Sequence, residues 1–285
     1  MKIVRFLGGL GNQMFQYAFY KALEKRFPNV KADLQGYTAY ALHNGLELEN
    51  IFNIQLNKAP TFTSNLYYLH NRKWIYRKLR QILNLRKSYK EEQILFSFDP
   101  FFLENPTPAY YWGYWQNHQY FSSVAKELQL DFRFKNPLTP QNQETLAQIQ
   151  QSNSVSIHIR RGDYLKDPFL GGLCRPEYYQ QAISYIQTRV SSPEFFIFSD
   201  DISWCREKLS LPDSNFISWN TGTESYIDMQ LMSGCKHQII ANSSFSWWAA
   251  WLNVYPEKIV ICPKKWANDP NPMVNMSFPD KWISL

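Results

Sequence analysis

The sequence has little that would cross-link it, hold a metal or carry it across a membrane. Its 285 residues include only four cysteines, Cys174, Cys205, Cys235 and Cys262, far apart and without a C-x-x-C pair. Neither a disulfide framework nor a cysteine zinc site is expected, and reduced thiols in a cytosolic protein fit this usage. No apolar run reaches the length of a membrane-spanning helix, and Met1 leads straight into the strand-like Lys2-Ile3-Val4-Arg5-Phe6, so nothing marks the chain for export. Two sequons, at Asn242-Ser243-Ser244 and Asn275-Met276-Ser277, are therefore read as unmodified. A D-x-D motif, a common way for a divalent ion to hold a nucleotide sugar, occurs nowhere. The dinucleotide fingerprint also fails. Gly9-x-Gly11 is followed by Met14 at the third glycine position, which speaks against a nicotinamide dehydrogenase. There is no internal repeat and no low-complexity segment.

What is present suits a packed, ring-rich protein. Hydrophobic residues make up 45% and charged residues 19%, enough for a substantial core and too apolar for wholesale disorder. Aromatics reach 17%; they can stack on sugars or bases, or simply fill a core. The net charge of +6 favours an anionic partner. Much of it lies in residues 70–90, where Arg72, Lys73, Arg77, Lys78, Arg80, Arg86, Lys87 and Lys90 interleave with Trp74, Ile75, Leu79, Ile82 and Leu83. This pattern predicts a basic amphipathic helix. A solvated helix face is the ordinary reading, and a weak peripheral membrane contact is the alternative. Nucleic acid is not expected, because the basic residues belong to one helix and no recognised module accompanies them.

The chain opens as strand, glycine turn and helix, with a second strand expected near residues 30–34. Residues 45–135 read as irregular, with helical stretches and the aromatic run Tyr110-Tyr111-Trp112-Gly113-Tyr114-Trp115. The polar, proline-containing stretch 135–141 reads as a linker, dividing an N-terminal α/β domain, 1–137, from a C-terminal one, 138–285. Beyond it, strands expected at 154–159, 195–199, 215–218, 238–241 and 258–261 alternate with helices expected at 177–190, 203–209, 224–232 and 245–252. Such alternation implies a parallel sheet covered by helices.

Ligands of such sheets bind at the carboxyl ends of strands, where three clusters fall. The first is His158-Ile159-Arg160-Arg161-Gly162-Asp163-Tyr164, whose guanidiniums offer rigid forks to phosphate oxygens or pair with Asp163. The second is Ser199-Asp200-Asp201, where paired carboxylates suit ribose, a purine edge, a base or a metal, and where one carboxylate can merely cap the next helix. The third is Asn242-Ser243-Ser244-Phe245 with Ser246-Trp247-Trp248, which opens a helix and so either forms an anion site or is plain serine capping.

Taken with Gly8-Gly9-Leu10-Gly11-Asn12-Gln13-Met14-Phe15-Gln16-Tyr17-Ala18, Gly45-Leu46-Glu47-Leu48, Ile51-Phe52, Gly113-Tyr114-Trp115-Gln116, Tyr120-Phe121 and Asp228-Met229, these segments resemble the α-1,2-fucosyltransferase family nearly end to end. One departure is Trp248-Ala249-Ala250, where the family commonly has Trp-Gly-Ala. The resemblance implies a GT-B-like fold of two Rossmann-like domains facing across a cleft. It also implies inverting transfer from GDP-fucose to the 2-hydroxyl of a galactose-containing glycan, without metal or other cofactor. It places the chain with bacterial, cytoplasmic members in surface-polysaccharide assembly. By resemblance Arg160 holds the β-phosphate, helped by Ser243, Ser244 and the backbone at Phe245. His158 and Asp200 or Asp201 contact guanine or ribose, and Gly11 with Asn12 reaches the phosphate or fucose. Asp33, Glu47 and Asp163 are candidates for the general base, Asp163 being also placed to orient the arginines. Tyr114, Trp115, Gln116 and Tyr120 are candidates for the acceptor wall or for core. A GDP-fucose enzyme with another acceptor or linkage, and a non-catalytic glycan- or nucleotide-sugar-binding protein, are the alternatives.

Overall fold

The computed structural model describes residues 1–39, 44–209, 211 and 214–285. The chain divides into two units, Met1–Lys135 and Asn136–Leu285.

The first unit is built on four parallel strands, β1 (Lys2–Arg5), β2 (Val30–Asp33), β3 (Tyr89–Glu91) and β4 (Ala109–Trp112), in the order β2-β1-β4-β3. The stretch expected to be irregular thus supplies two of the four strands. β3 and β4 carry aromatic and charged residues with no two-residue alternation, so their period gave no signal. The helix α1 (Leu10–Glu24) is buried nearly all round, with twelve of its fifteen residues inside, as expected of a helix enclosed by its own unit. Two further helices, α2 (Thr61–Tyr67) and α3 (Trp74–Ile82), lie on the connection to β3.

Arg5, Asp33 and Tyr110 fasten three adjacent strands. Arg5 Nη1 lies 2.8 Å from Asp33 Oδ2, the Tyr110 hydroxyl donates to the same oxygen, and the Gln35 N–H donates to Oδ1. Asp33 is only 1% exposed. Its expected place in acceptor binding or proton transfer is therefore corrected: both of its oxygens are spent inside the sheet.

The second unit carries six parallel strands, β5 (Asn153–Ile159), β6 (Pro193–Ser199), β7 (Asn215–Ile217), β8 (His237–Ile239), β9 (Val260–Cys262) and β10 (Ile283–Ser284), in the order β10-β9-β8-β5-β6-β7. Counted from β5 this is the doubly wound order 3-2-1-4-5-6, whose direction of winding reverses between β5 and β8. Both units are thus α/β with parallel sheets. The helices are α4 (Pro140–Gln151), α5 (Pro176–Gln187), α6 (Ile202–Lys208), α7 (Tyr226–Gly234) and α8 (Ser244–Leu252). The end of the presumed linker is itself a helix start: Thr139 accepts from the Asn142 N–H and Pro140 takes the first helical position. Val155, Ile157 and Ile159 of β5 pack with Tyr179, Ala182 and Ile186 of α5. Ala249 and Ala250 are both buried, so the methyl of Ala249 lies within the core. All four cysteines are free thiols. Among the described residues, no helix is long and apolar enough to cross a membrane.

Arg5→Leu leaves the buried Asp33 carboxylate without its cation and should cost roughly 3 kcal/mol in urea unfolding. Arg5→Leu/Asp33→Leu should recover much of that loss, because no uncompensated charge then remains.

Candidate active site

Parallel register aligns the ends of three neighbouring strands in the second unit. Ile159 of β5 stands opposite Ser199 of β6, and Ile157 stands opposite Ile239 of β8. His158–Tyr164, Ser199–Asp201 and Asn242–Phe245 accordingly leave the same edge side by side, with the β5/β8 reversal between the first and the third.

The β5 loop is held by carboxylates. Arg160 Nε lies 2.8 Å from Asp163 Oδ1, and its Nη2 donates to Oδ2 at 3.0 Å. This is a two-pronged contact that fixes the plane of the guanidinium. Arg160 Nη1 also approaches Asp200 Oδ2 at 3.4 Å. Burial works against the charge of Arg160, but Asp163 and Asp200 outweigh it and raise its pKa above the usual value. The side chain nevertheless keeps a third of its surface open. Asp200 accepts from the backbone N–H of Arg161 and of Gly162, at 2.9 and 3.1 Å. A Cβ at Gly162 would come within 2.9 Å of that carboxylate, so the loop can approach this closely only at a glycine. Asp201 pairs with Arg161 Nε at 3.0 Å and caps α6 through the Trp204 N–H, and the Arg161 guanidinium lies 4.3 Å from the centre of the Trp204 ring. Both carboxylates therefore serve the arginine loop in this structure. The capping alternative describes Asp201 well.

His158 is buried, and its imidazole is held neutral: burial, then the charge of Arg160, pushes its pKa down to about 3. Its Nδ1 meets no hydrogen-bond partner among the described residues, and its ring lies 5.7 Å from that of Phe245. A buried polar nitrogen without a partner is costly unless a ligand completes it. At the third strand end Ser243 caps α8, accepting from the Phe245 N–H at 3.3 Å. Asn242 anchors the turn by donating to the carbonyls of Leu170 and Trp266. Ser244 and Phe245 are half-buried in the first turn of α8, and the N-terminal end of a helix favours an anion. A cavity of about 160 Å³ lies at this edge, lined among others by Arg160, Arg161, Tyr164, Trp204 and Asn242.

The first unit has its own reversal, between β1 and β4. There Gly8 takes a left-handed φ of +80°, and α1 begins without a side-chain cap. Gln116 Nε2 donates to Asn12 Oδ1 at 2.7 Å, which brings these two predicted residues together beside Gly11. The Glu47 N–H donates to Gln13 Oε1 and its carboxylate accepts from Asn44. Burial raises the Glu47 pKa, partly offset by hydrogen bonds from Asn44 and the Leu10 backbone. Tyr114 stays half-buried at the strand end. Trp115 is corrected: it is fully buried, stacked on Phe19 at 4.2 Å and flanked by Phe102, Tyr111 and Tyr120, so neither it nor the buried Tyr120 offers a face to a sugar.

Sequence reasoning missed Glu92. Its Oε2 accepts from the N–H of Tyr114 and of Trp115, at 2.8 and 3.2 Å, and so supports a turn in which Trp115 adopts φ +56°. The only signal was an acidic residue just after β3, 22 and 23 positions from its partners.

An arginine-bearing loop and a helix N-terminus flank the reversal of this doubly wound parallel sheet, an arrangement suited to a phosphorylated ligand. The sequence profile of glycosyl transferase family 11 matches residues 3–285, and the chain belongs to that family. It is 34% identical to an α-1,2-colitosyltransferase of Escherichia coli over 299 aligned positions, covering 99% of this chain and 98% of the relative. It is 26% identical to galactoside α-(1,2)-fucosyltransferase 2 of Gorilla gorilla gorilla, covering 88% of this chain and 69% of that protein. A crystal structure of the fucosyltransferase NodZ from Bradyrhizobium aligns with a TM-score of 0.49 at 15% identity, over 91% of this chain and 94% of that one.

Burial pushes the Glu92 pKa up to about 7 despite hydrogen bonds from the Tyr114, Trp115 and Phe96 backbone. The folded state thus holds a proton that the unfolded state gives up near pH 4.5. The stability this contributes is complete below that pH and lost as pH rises through 7. Thermal unfolding of Glu92→Gln should fall less than that of the parent between those limits. The difference should be on the order of 3 kcal/mol at most; identical pH profiles would contradict the assignment.

Proposed function

We propose that this glycosyltransferase moves fucose from GDP-fucose to the 2-hydroxyl of a galactose-containing glycan, with inversion at the anomeric carbon and without a metal. The observation that carries the reading is the clamped Arg160 beside the N-terminus of α8. As the acceptor oxygen bonds to the anomeric carbon, the bond to the β-phosphate oxygen breaks and negative charge gathers on the departing diphosphate. A guanidinium already fixed in orientation by Asp163, together with Ser243, Ser244 and the backbone at Phe245, meets that charge with little reorganisation. Neutral His158 offers its unsatisfied Nδ1 to the nucleoside.

Asp163 acts as the positioning residue for Arg160. Of the three carboxylates considered as base, Glu47 is the one that pairs with no cation among the described residues, and its raised pKa moves it toward the range useful for accepting the hydroxyl proton. Asn12, with Gln116, adds amide groups for hydroxyls of the sugars.

The similarity to a colitosyltransferase over almost the whole chain supports a second reading of the donor. Colitose is fucose without its 3-hydroxyl. A site that hydrogen-bonds this hydroxyl strongly disfavours the analogue lacking it, whereas an apolar site discriminates weakly.

The test is incubation with GDP-fucose or GDP-colitose and a panel of galactosides, including lactose and N-acetyllactosamine, with EDTA throughout and linkage read by NMR. An α-1,2-fucosylated product is expected, and Arg160→Ala should reduce turnover by roughly 10²–10³-fold. Transfer from GDP-colitose alone would replace the donor. A linkage other than 1,2, or activity abolished by EDTA and restored by a divalent ion, would overturn the corresponding part of the reading.

A further inference from the structure

The first unit carries a surface that the transfer reaction leaves unused. α3 packs inward through Tyr76 and Leu79, onto the cluster of Ile3, Leu66, Tyr67, Leu85 and Tyr110. Arg80 goes in with them, donating to the carbonyls of Asn65, Tyr68 and Asn71. The outward side of α3 and the adjoining α2 has no comparable cover. Trp74 is 71% exposed and Ile82 67%, and Phe62, Leu69, Ile75 and Leu83 are exposed with them. These are six of the eleven large apolar side chains found exposed among the described residues. Single exposed apolar residues are ordinary, but a cluster this dense marks an interaction surface. Trp74, Lys78 and Ile82 follow one another at four-residue spacing along the helix, and Ile75 precedes Ile82 by seven, so the exposed apolar groups share one stripe.

Charge of one sign surrounds that stripe. No Asp or Glu occurs between Glu49 and Glu91, whereas this span holds nine Lys and Arg residues. Arg72, Lys73, Arg77, Lys78, Arg86 and Lys87 are exposed, and among the described residues none of them forms an ion pair. Leu69, Arg72, Arg77, Arg80 and Arg86 line a hollow of about 440 Å³. A merely solvated helix face has no need to keep a tryptophan in water beside converging guanidiniums.

We propose that the α2–α3 face docks the enzyme on an anionic phospholipid bilayer, with lipid phosphates entering the arginine-lined hollow and Trp74, Ile75, Ile82 and Leu83 entering the interfacial layer. Charge complementarity selects an anionic partner, and the apolar stripe selects a bilayer over a soluble polyanion, which would leave that stripe in water. The proposal rests on this surface alone and stands or falls independently of donor and acceptor.

The test is co-sedimentation of the full chain with vesicles of phosphatidylcholine alone or mixed with phosphatidylglycerol. Partition should be at least about tenfold stronger on the mixed vesicles and should decline with added salt. Trp74→Ser/Ile82→Ser and Arg72→Glu/Arg77→Glu should each lower it by about tenfold. Circular dichroism and thermal melting matching the parent's would show that these variants fold. Equal partition on both vesicle types, or parent-like binding by either variant, would overturn the proposal. Displacement of the parent from vesicles by pyrophosphate under conditions where sodium chloride of equal ionic strength does not displace it would also overturn it, as the hollow would then be a site for free anions.

Discussion

The second unit depends on keeping two guanidiniums at the end of a buried strand without letting them collapse or wander. Asp163 grips Arg160 from within the loop, and Asp201 holds Arg161 from the neighbouring strand. Asp200 ties down the backbone N–H groups of Arg161 and Gly162 between them. Three carboxylates thus neutralise and orient two cations at one strand end. This explains how Arg160 can remain charged, partly open and fixed in plane at once, the combination that the proposed transfer from GDP-fucose calls for. It also gives both members of the acidic pair after β6 a structural role at the arginine loop.

The first unit solves a similar problem with polar groups that are mostly neutral. Its winding reverses between β1 and β4, and there Asn12 and Gln116 meet through a side-chain hydrogen bond. Beneath them Glu92 supports the turn from Gly113 to Gln116, while Arg5, Asp33 and Tyr110 lock the strands. Arg5, Asp33 and Glu92 are therefore structural charges. What it presents at its own strand ends is an amide pair, a half-buried tyrosine and the perturbed carboxylate of Glu47, groups suited to sugar hydroxyls rather than phosphate.

Much of the second unit was legible in the sequence because its central strands are rich in buried apolar residues, Val155, Ile157 and Ile159 at alternate positions of one and the run Phe195-Phe196-Ile197-Phe198 in its neighbour. The motifs at their ends could then be placed by rule. Less was legible before residue 135. The run from Tyr110 to Trp115 is half strand and half strained turn, and rings that fill a core have the same letters as rings that stack on a sugar. Only the packing of Trp115 on Phe19 separates the two roles. Asp33 was hidden for a similar reason: a carboxylate beside a strand looks available until Arg5 and Tyr110 are seen to consume it. Glu92 was invisible because its partners are brought close by strand pairing rather than by sequence. The helix start at Thr139-Pro140 is legible in principle, but a polar, proline-containing stretch reads equally as a break.

The central claim is that an oriented fork, and not merely a positive charge, drives expulsion of the diphosphate. It is tested most directly by Arg160→Lys, comparing turnover at saturating donor with GDP affinity measured by calorimetry. Lysine keeps the charge but cannot accept the two-pronged grip of Asp163. The account predicts turnover at least about tenfold below the parent, with a clearly smaller loss of GDP affinity. Parental turnover in the lysine variant, or a defect confined to GDP affinity, would contradict it.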